Sequence, residues 1–223
     1  MTIWLSLTGF CLKSLDFWRE TPLLNGFLQV ILSFLYAGIF ILAHDCMHGS
    51  FLPKHPKLND RIGKFLLLIY ACLPYNKLKA AHLTHHHSPH SESDPDFHAP
   101  GNHHFLNWYF RFLSHYLSPL PLIGMTLIAN LMQHLAQITL ANILFYWALP
   151  GFLSTILLFY FGTYLPHLEG ESKGIQSSNL PVWLSFFACY HFGYHLEHHL
   201  YPHLPWWKLP EAKKLRKPPD ELR

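Results

Sequence analysis

Charge is what this sequence has least of: Asp, Glu, Lys and Arg together supply 13% of its 223 residues, while half of the chain is apolar. With a mean hydropathy of +0.13, that balance excludes a disordered chain and does not suit an ordinary soluble domain. Basic residues exceed acidic ones by only 16 to 13. So small a surplus does not suggest a nucleic-acid partner unless it is clustered. The four cysteines, Cys11, Cys46, Cys72 and Cys189, form no C-x-x-C, so neither a zinc knuckle nor a disulfide framework is indicated. No H-E-x-x-H stretch occurs to suggest a zinc protease. Met1 to Leu12 lacks both the basic start and the small-residue cleavage site of a secretory signal.

What is present is a set of long uncharged runs. Thr21 to Ala43 carries no charge and, at about 1.5 Å per residue, is long enough to cross a hydrocarbon core of roughly 30 Å. Phe112 to Leu168 is likewise uncharged, too long for one crossing and suited to two. The spacing predicts spans near 21–43, 116–132 and 141–166, with a reversal at Gln133, His134 and Gln137 and a kink at Pro150-Gly151. A short first span over 1–18 and interfacial or re-entrant helices near 62–79 and 180–199 complete the expectation: an all-α integral membrane bundle forming one domain over 1–223. Lys54, Lys57, Arg61, Lys64, Lys77 and Lys79 face a single acid, Asp60, between His48 and His82, and the tail adds Lys208, Lys213, Lys214, Arg216 and Lys217. Positive loops stay cytoplasmic, so both segments are expected on that side, with the histidine-bearing helices capping the spans there.

Histidine is the anomaly, at 19 copies. Three clusters stand out: His44-x-x-x-His48, His82-x-x-His85-His86 and His195-x-x-His198-His199. On a helix, positions i, i+3 and i+4 share a face, so each cluster is expected to present its imidazoles to one point. His167 closes the last span at the same depth. One H-x-x-x-H is usually an ordinary surface or core pair. Three beside membrane spans would be costly to leave unpaired near hydrocarbon, which points to metal. An imidazole set suits Zn, Cu, Fe or Ni, and so many donors exceed one ion's capacity. Two ions follow, and iron fits if the task is oxygen activation.

At these residues the sequence resembles the membrane di-iron family of fatty-acid desaturases and hydroxylases, with its H-x-x-x-H, H-x-x-H-H and H-x-x-H-H boxes. H-D-C-M-H-G-S at 44–50, D-P-D-F-H at 94–98, F-G-T-Y-L-P-H at 161–167 and Y-H-F-G-Y-H-L-E-H-H-L-Y-P-H-L-P-W-W-K-L-P at 190–210 are similar to its β-carotene ketolase branch. The resemblance implies a di-iron centre held by His44, His48, His82, His85, His86, His167, His195, His198 and His199, with His191 either a ligand or a neighbour of one. It implies O₂ as co-substrate and a ferredoxin-type electron-transfer protein as donor. The substrate implied is a carotenoid drawn from the membrane lipid, oxidised at C4 of one or both β-ionone rings to a ketone.

Asp45, Asp94, Asp96 and Glu197 are placed to accept the outward N–H of an imidazole or, equally, to be solvated charges. His87, His90, His98, His103 and His104 read as loop residues, and His55, His115, His134 and His203 as structural or interfacial. Trp206 and Trp207 suit a headgroup anchor or, with Phe192 and Tyr194, the wall of a substrate tunnel. A carotenoid hydroxylase or fatty-acyl desaturase shares the boxes and is the nearest alternative. A histidine-lined metal transporter is the alternative of another class, but its spans should carry more titratable groups than 112–168 offers.

Overall fold

The computed structural model describes residues 1–169 and 173–216. Lys217, counted above with the basic tail, lies outside them. Among the described residues every regular element is helical. Helix α1 spans Thr2–Ser14, and α2 spans Pro22–His48. Helix α3 covers Pro56–Ala71, α4 Tyr75–His87, α5 Phe105–Tyr116 and α6 Pro119–His134. Helix α7 runs Leu140–His167. Helices α8 (Val182–Cys189), α9 (His195–Leu200) and α10 (Leu209–Leu215) complete the set.

Local chemistry fixes the long elements. Thr21 caps α2 by accepting the Leu24 N–H, Pro22 follows at the first turn, and Gly49 ends the helix at φ 71°. Helices α2 and α7 are each long and apolar enough to cross a membrane, at 27 and 28 residues. They bury Leu32, Tyr36, Ile39, Tyr146 and Trp147 between themselves and α3. Helix α3 is tied to α7 by the Tyr70 hydroxyl, 2.8 Å from Ser154 Oγ.

Pro150 does not break α7. The helix widens into a π turn at Leu144–Ala148 and again at Tyr160–Tyr164. The Phe145 carbonyl, which has no proline N–H to receive, accepts from the Gln29 side chain of α2 instead. This is how a mid-span proline is tolerated where no water can reach the backbone.

Elsewhere the helices are shorter than the sequence suggests. Helix α1 has 13 residues, too few to cross at about 1.5 Å each. The side chain of Asn142 satisfies the end of α1, donating to the Leu12 and Leu15 carbonyls at 3.2 and 2.7 Å. The helix expected over 62–79 is two helices, because Cys72 turns left-handed (φ 54°) ahead of Pro74. The one expected over 180–199 is broken by two successive left-handed residues, Tyr190 (φ 47°) and His191 (φ 62°). The stretch expected as a span over 116–132 is α6, 16 residues long, which meets α5 at an 83° bend. Its apolar side chains, Leu120, Leu122, Ile123, Leu127 and Leu131 among them, are exposed.

A smaller cluster of Phe97, Trp108, Tyr109 and Phe159 anchors the polar loop between α4 and α5 against α7. Within that loop the Asp96 carbonyl accepts from Trp108 Nε1 at 2.8 Å.

Candidate metal centre

Four elements deliver the imidazoles: the last two turns of α2, the last two turns of α4, the end of α7, and α9. They form two groups, within each of which the donor atoms lie within 4.8 Å of one another. His44, His48, His82, His86 and His198 make the first, and His85, His167, His195 and His199 the second. All nine histidines singled out by the boxes and by position 167 fall in one group or the other.

The division corrects one expectation. Each box does not aim at one point: His82 and His86 join the first group while His85 joins the second, and His195 and His199 join the second while His198 joins the first. The i, i+4 pairs stay together. Neighbours in sequence differ by about 100° around a helix, so the intervening histidine faces the other group.

The donor set fits metal ions better than it fits itself. Nε2 of His48 and His82 lie 2.7 Å apart, and Nε2 of His86 and His198 2.9 Å. Nε2 of His44 and Nε2 of His167 are buried with no hydrogen-bond partner. Buried polar atoms without partners are rare unless something else occupies them. Two imidazole nitrogens on one ion at about 2.1 Å each are at most about 4.2 Å apart, so a small closure brings each group onto an ion. Burial holds His82, His195 and His198 well below the ordinary histidine range, and the surrounding imidazoles push the same way. The neutral form that results is the one that ligates.

His85 differs. Burial opposes its charge, yet the hydrogen bond to Asp94 and the charges of Asp96 and Asp94 outweigh it and raise its pKa. Its Nδ1 is 2.9 Å from both Asp94 oxygens, leaving Nε2 for the second group. That is the arrangement by which a carboxylate fixes a ligand's tautomer and orientation. Asp94 also accepts the N–H groups of His90 and Asp96. Asp94→Asn is expected to lower activity between about tenfold and a hundredfold with metal retained, measured as turnover and metal content on the same sample.

The other carboxylates serve differently. Asp45 lies 3.8 Å from His44 Nδ1 and accepts the Trp206 N–H at 3.1 Å, pinning the tail to α2. Asp96 accepts from the Tyr116 hydroxyl, not from an imidazole. Glu197 faces Ser177 and, at 3.1 Å, Arg216, because it points away from both histidine-bearing sides of α9. It holds the tail rather than a ligand. His191 belongs to neither group. It stacks on Tyr194 with ring centres 5.6 Å apart and is itself part of the left-handed turn that ends α8.

His90 is more than a loop residue: its Nε2 is 2.7 Å from His167 Nδ1. No spacing rule links positions 77 residues apart, so the sequence carries no signal for it.

Beside both groups lies an apolar cavity open to the outside, bounded at its polar end by His44 and His82 of the first group and His85 and His195 of the second. Phe40, Phe112, Leu113, Leu158 and Phe192 form its greasy wall. Of the four aromatic residues considered for substrate, only Phe192 lines it. Trp206 packs on Phe186 and Tyr190, Trp207 is largely exposed, and the Tyr194 hydroxyl donates to the Leu180 carbonyl. Phe112 and Tyr116 of α5, whose aromatics suit an interfacial belt or a substrate wall equally well by sequence, line it too, as does Phe40 of α2, which nothing in the sequence marks, since lipid-facing and cavity-facing aromatics look alike there.

Imidazole donors in two groups, set at the ends of two membrane-length helices and on the short α4 and α9, and opening on a greasy cavity, are the features of a membrane protein whose histidines could hold metal. The fatty acid desaturase family model matches residues 21–139 and 120–221. The chain is 38% identical over 222 residues to the β-carotene ketolase of Paracoccus sp. (strain PC1), covering 95% of this chain and 88% of that one. It is 39% identical over 198 residues to the β-carotene ketolase of Haematococcus lacustris, covering 83% of this chain and 61% of that protein. It is 40% identical over 195 residues to the β-carotene 4-ketolase of Protosiphon botryoides, covering 82% of this chain and 50% of that protein. The chain belongs to the fatty acid desaturase family. It spans most of the Paracoccus relative and one half to three fifths of the other two.

Proposed function

We propose that this protein is a membrane di-iron oxygenase that converts C4 of the β-ionone ring of β-carotene to a ketone. The observation that carries the reading is the cavity: an apolar chamber ending on imidazoles from both donor groups, in a chain whose ketolase likeness extends over 95% of its length. His44, His48, His82, His86 and His198 would hold one iron and His85, His167, His195 and His199 the other.

Bound there, the irons supply O₂ activation with electrons from a ferredoxin-type donor. The protein's own task is to bring an allylic C–H of a molecule dissolved in lipid to that point and to exclude water. Two oxidations at one carbon, each using one O₂ and two electrons and releasing one water, give a gem-diol that loses water to the ketone. The whole chain acts as one membrane domain, its histidine boxes on the cytoplasmic side where the basic segments Lys54–Lys79 and Lys208–Arg216 meet the donor.

Expression in a bacterial host that accumulates β-carotene tests the activity: echinenone and canthaxanthin are expected, with the extract shifted to the red. Unchanged β-carotene with altered fatty-acid unsaturation would select the desaturase alternative. The purified protein is expected to hold close to two irons per chain, one for each group; a single zinc without iron would overturn the di-iron reading.

A further inference from the structure

The cavity is apolar except at a few points. Apart from the imidazoles, its wall includes the polar side chains of Tyr70, Thr155, Thr163, Asp96 and Tyr116. Two of these are engaged elsewhere: the Tyr70 hydroxyl pairs with Ser154, and Thr155 Oγ1 with Tyr109 and the Phe152 carbonyl. Asp96 is different. Its backbone is held on both sides, its N–H donating to Asp94 Oδ1 at 2.9 Å and its carbonyl accepting from Trp108. Its Oδ1 accepts the Tyr116 hydroxyl, but among the described residues nothing donates to Oδ2. A carboxylate that is 7% exposed, fixed by its main chain and half satisfied is costly to keep beside hydrocarbon.

Unoxidised β-carotene has no group that could answer that oxygen. The first product does: once C4 carries a hydroxyl, the ring has one O–H donor beside the metal centre. We propose that Asp96, positioned by Tyr116, is a hydroxyl-binding residue that accepts a hydrogen bond from the C4 alcohol and retains it in the cavity for the second oxidation. The inference rests on the ketolase reading. It adds a residue that distinguishes the second oxidation from the first.

The consequence lies in product distribution rather than total turnover. A hydrogen bond to a carboxylate is roughly twice as strong as one to a neutral acceptor, and in a dry cavity that difference separates retention of the alcohol from its escape to lipid. Asp96→Asn keeps the side chain's shape and the Tyr116 contact while removing the charge. In the β-carotene host, Asp96→Asn is expected to raise the ratio of C4 alcohol to ketone by about tenfold, with iron content unchanged. Thr163→Val, which removes the other uncommitted polar group on the wall, should leave the ratio as it was.

An unchanged ratio in Asp96→Asn, a uniform loss of all oxidised products together with iron, or a shift produced by Thr163→Val instead would each overturn the proposal. The unmodified protein gives a second measurement. In membranes supplied with equal amounts of β-carotene and its C4 alcohol at limiting concentration, the alcohol should be consumed about tenfold faster, and equal consumption would overturn the proposal even if Asp96→Asn does not accumulate. Absence of any oxidised carotenoid from the unmodified protein marks failure of the ketolase reading itself. Ketone formation with an unaltered ratio marks failure of this inference alone.

Discussion

Replacing His86 by alanine is expected to abolish ketone formation and to lower iron content, the largest effect of any single substitution in the chain. His86 is the imidazole at which the two groups meet. Its Nε2 lies 2.9 Å from that of His198 within its own group, and its ring stacks on His199 of the other group with centres 4.0 Å apart and planes at 14°. Alanine removes a donor from one group and the packing surface of a donor in the other. Losing a partner that only orients a ligand costs roughly 10- to 100-fold; losing a ligand from a centre that needs both ions should exceed that and leave no measurable product. His191→Ala is the matching control, because His191 is buried yet lies in neither group. It should retain both irons. Iron lost from His191→Ala and kept in His86→Ala would contradict the assignment of donors.

Gly162→Ala is expected to be nearly as damaging, although it adds one methyl group to a residue that ligates nothing. A Cβ at position 162 would sit 2.0 Å from Phe192 Cε1 and 2.4 Å from its Cδ1. The ring is not free to swing aside: it packs edge-on against His44 at 5.0 Å and His195 at 5.8 Å, one imidazole from each group. Overpacking of this kind costs about 1–3 kcal/mol in stability, and the displaced ring also enters the cavity. A loss of activity of a hundredfold or more is expected, on the principle that misplacement of about 1 Å near the reacting atoms can cost about 10²-fold. The double change Gly162→Ala with Phe192→Leu should recover much of it by returning the space. Full activity in Gly162→Ala, assayed on membranes containing equal amounts of protein, would show that Phe192 is not held as described.

The histidines were legible because a box on a helix leaves a spacing that survives in one dimension. His44/His48, His82/His86 and His195/His199 are each i, i+4 pairs, and each pair stays within one group. The split of His85 and His198 away from their neighbours was not legible, because spacing reports which residues share a face and not what lies opposite. The two membrane-length helices were legible as uncharged runs, and the broken ones were not: Tyr190 and His191 turn left-handed without a glycine or proline to announce it. Glu197 and Asp96 show the same limit on the polar side. A carboxylate near a histidine in sequence was a reasonable candidate to orient one, yet Arg216 and Tyr116 arrive from distant parts of the chain and take those oxygens instead. Asp94, nine residues from His85, does lie within hydrogen-bonding distance of its Nδ1.

The interleaving of the boxes also sets a timetable. The first group needs His198 and the second needs His195 and His199, so both rely on the same two turns of helix, translated after every other donor. Neither donor set is complete while the ribosome is still short of residue 195, however well α2 and α7 are already inserted. Both groups are therefore completed by the same helix, α9. Chains halted at residue 190 should be found in the membrane and hold no iron pair.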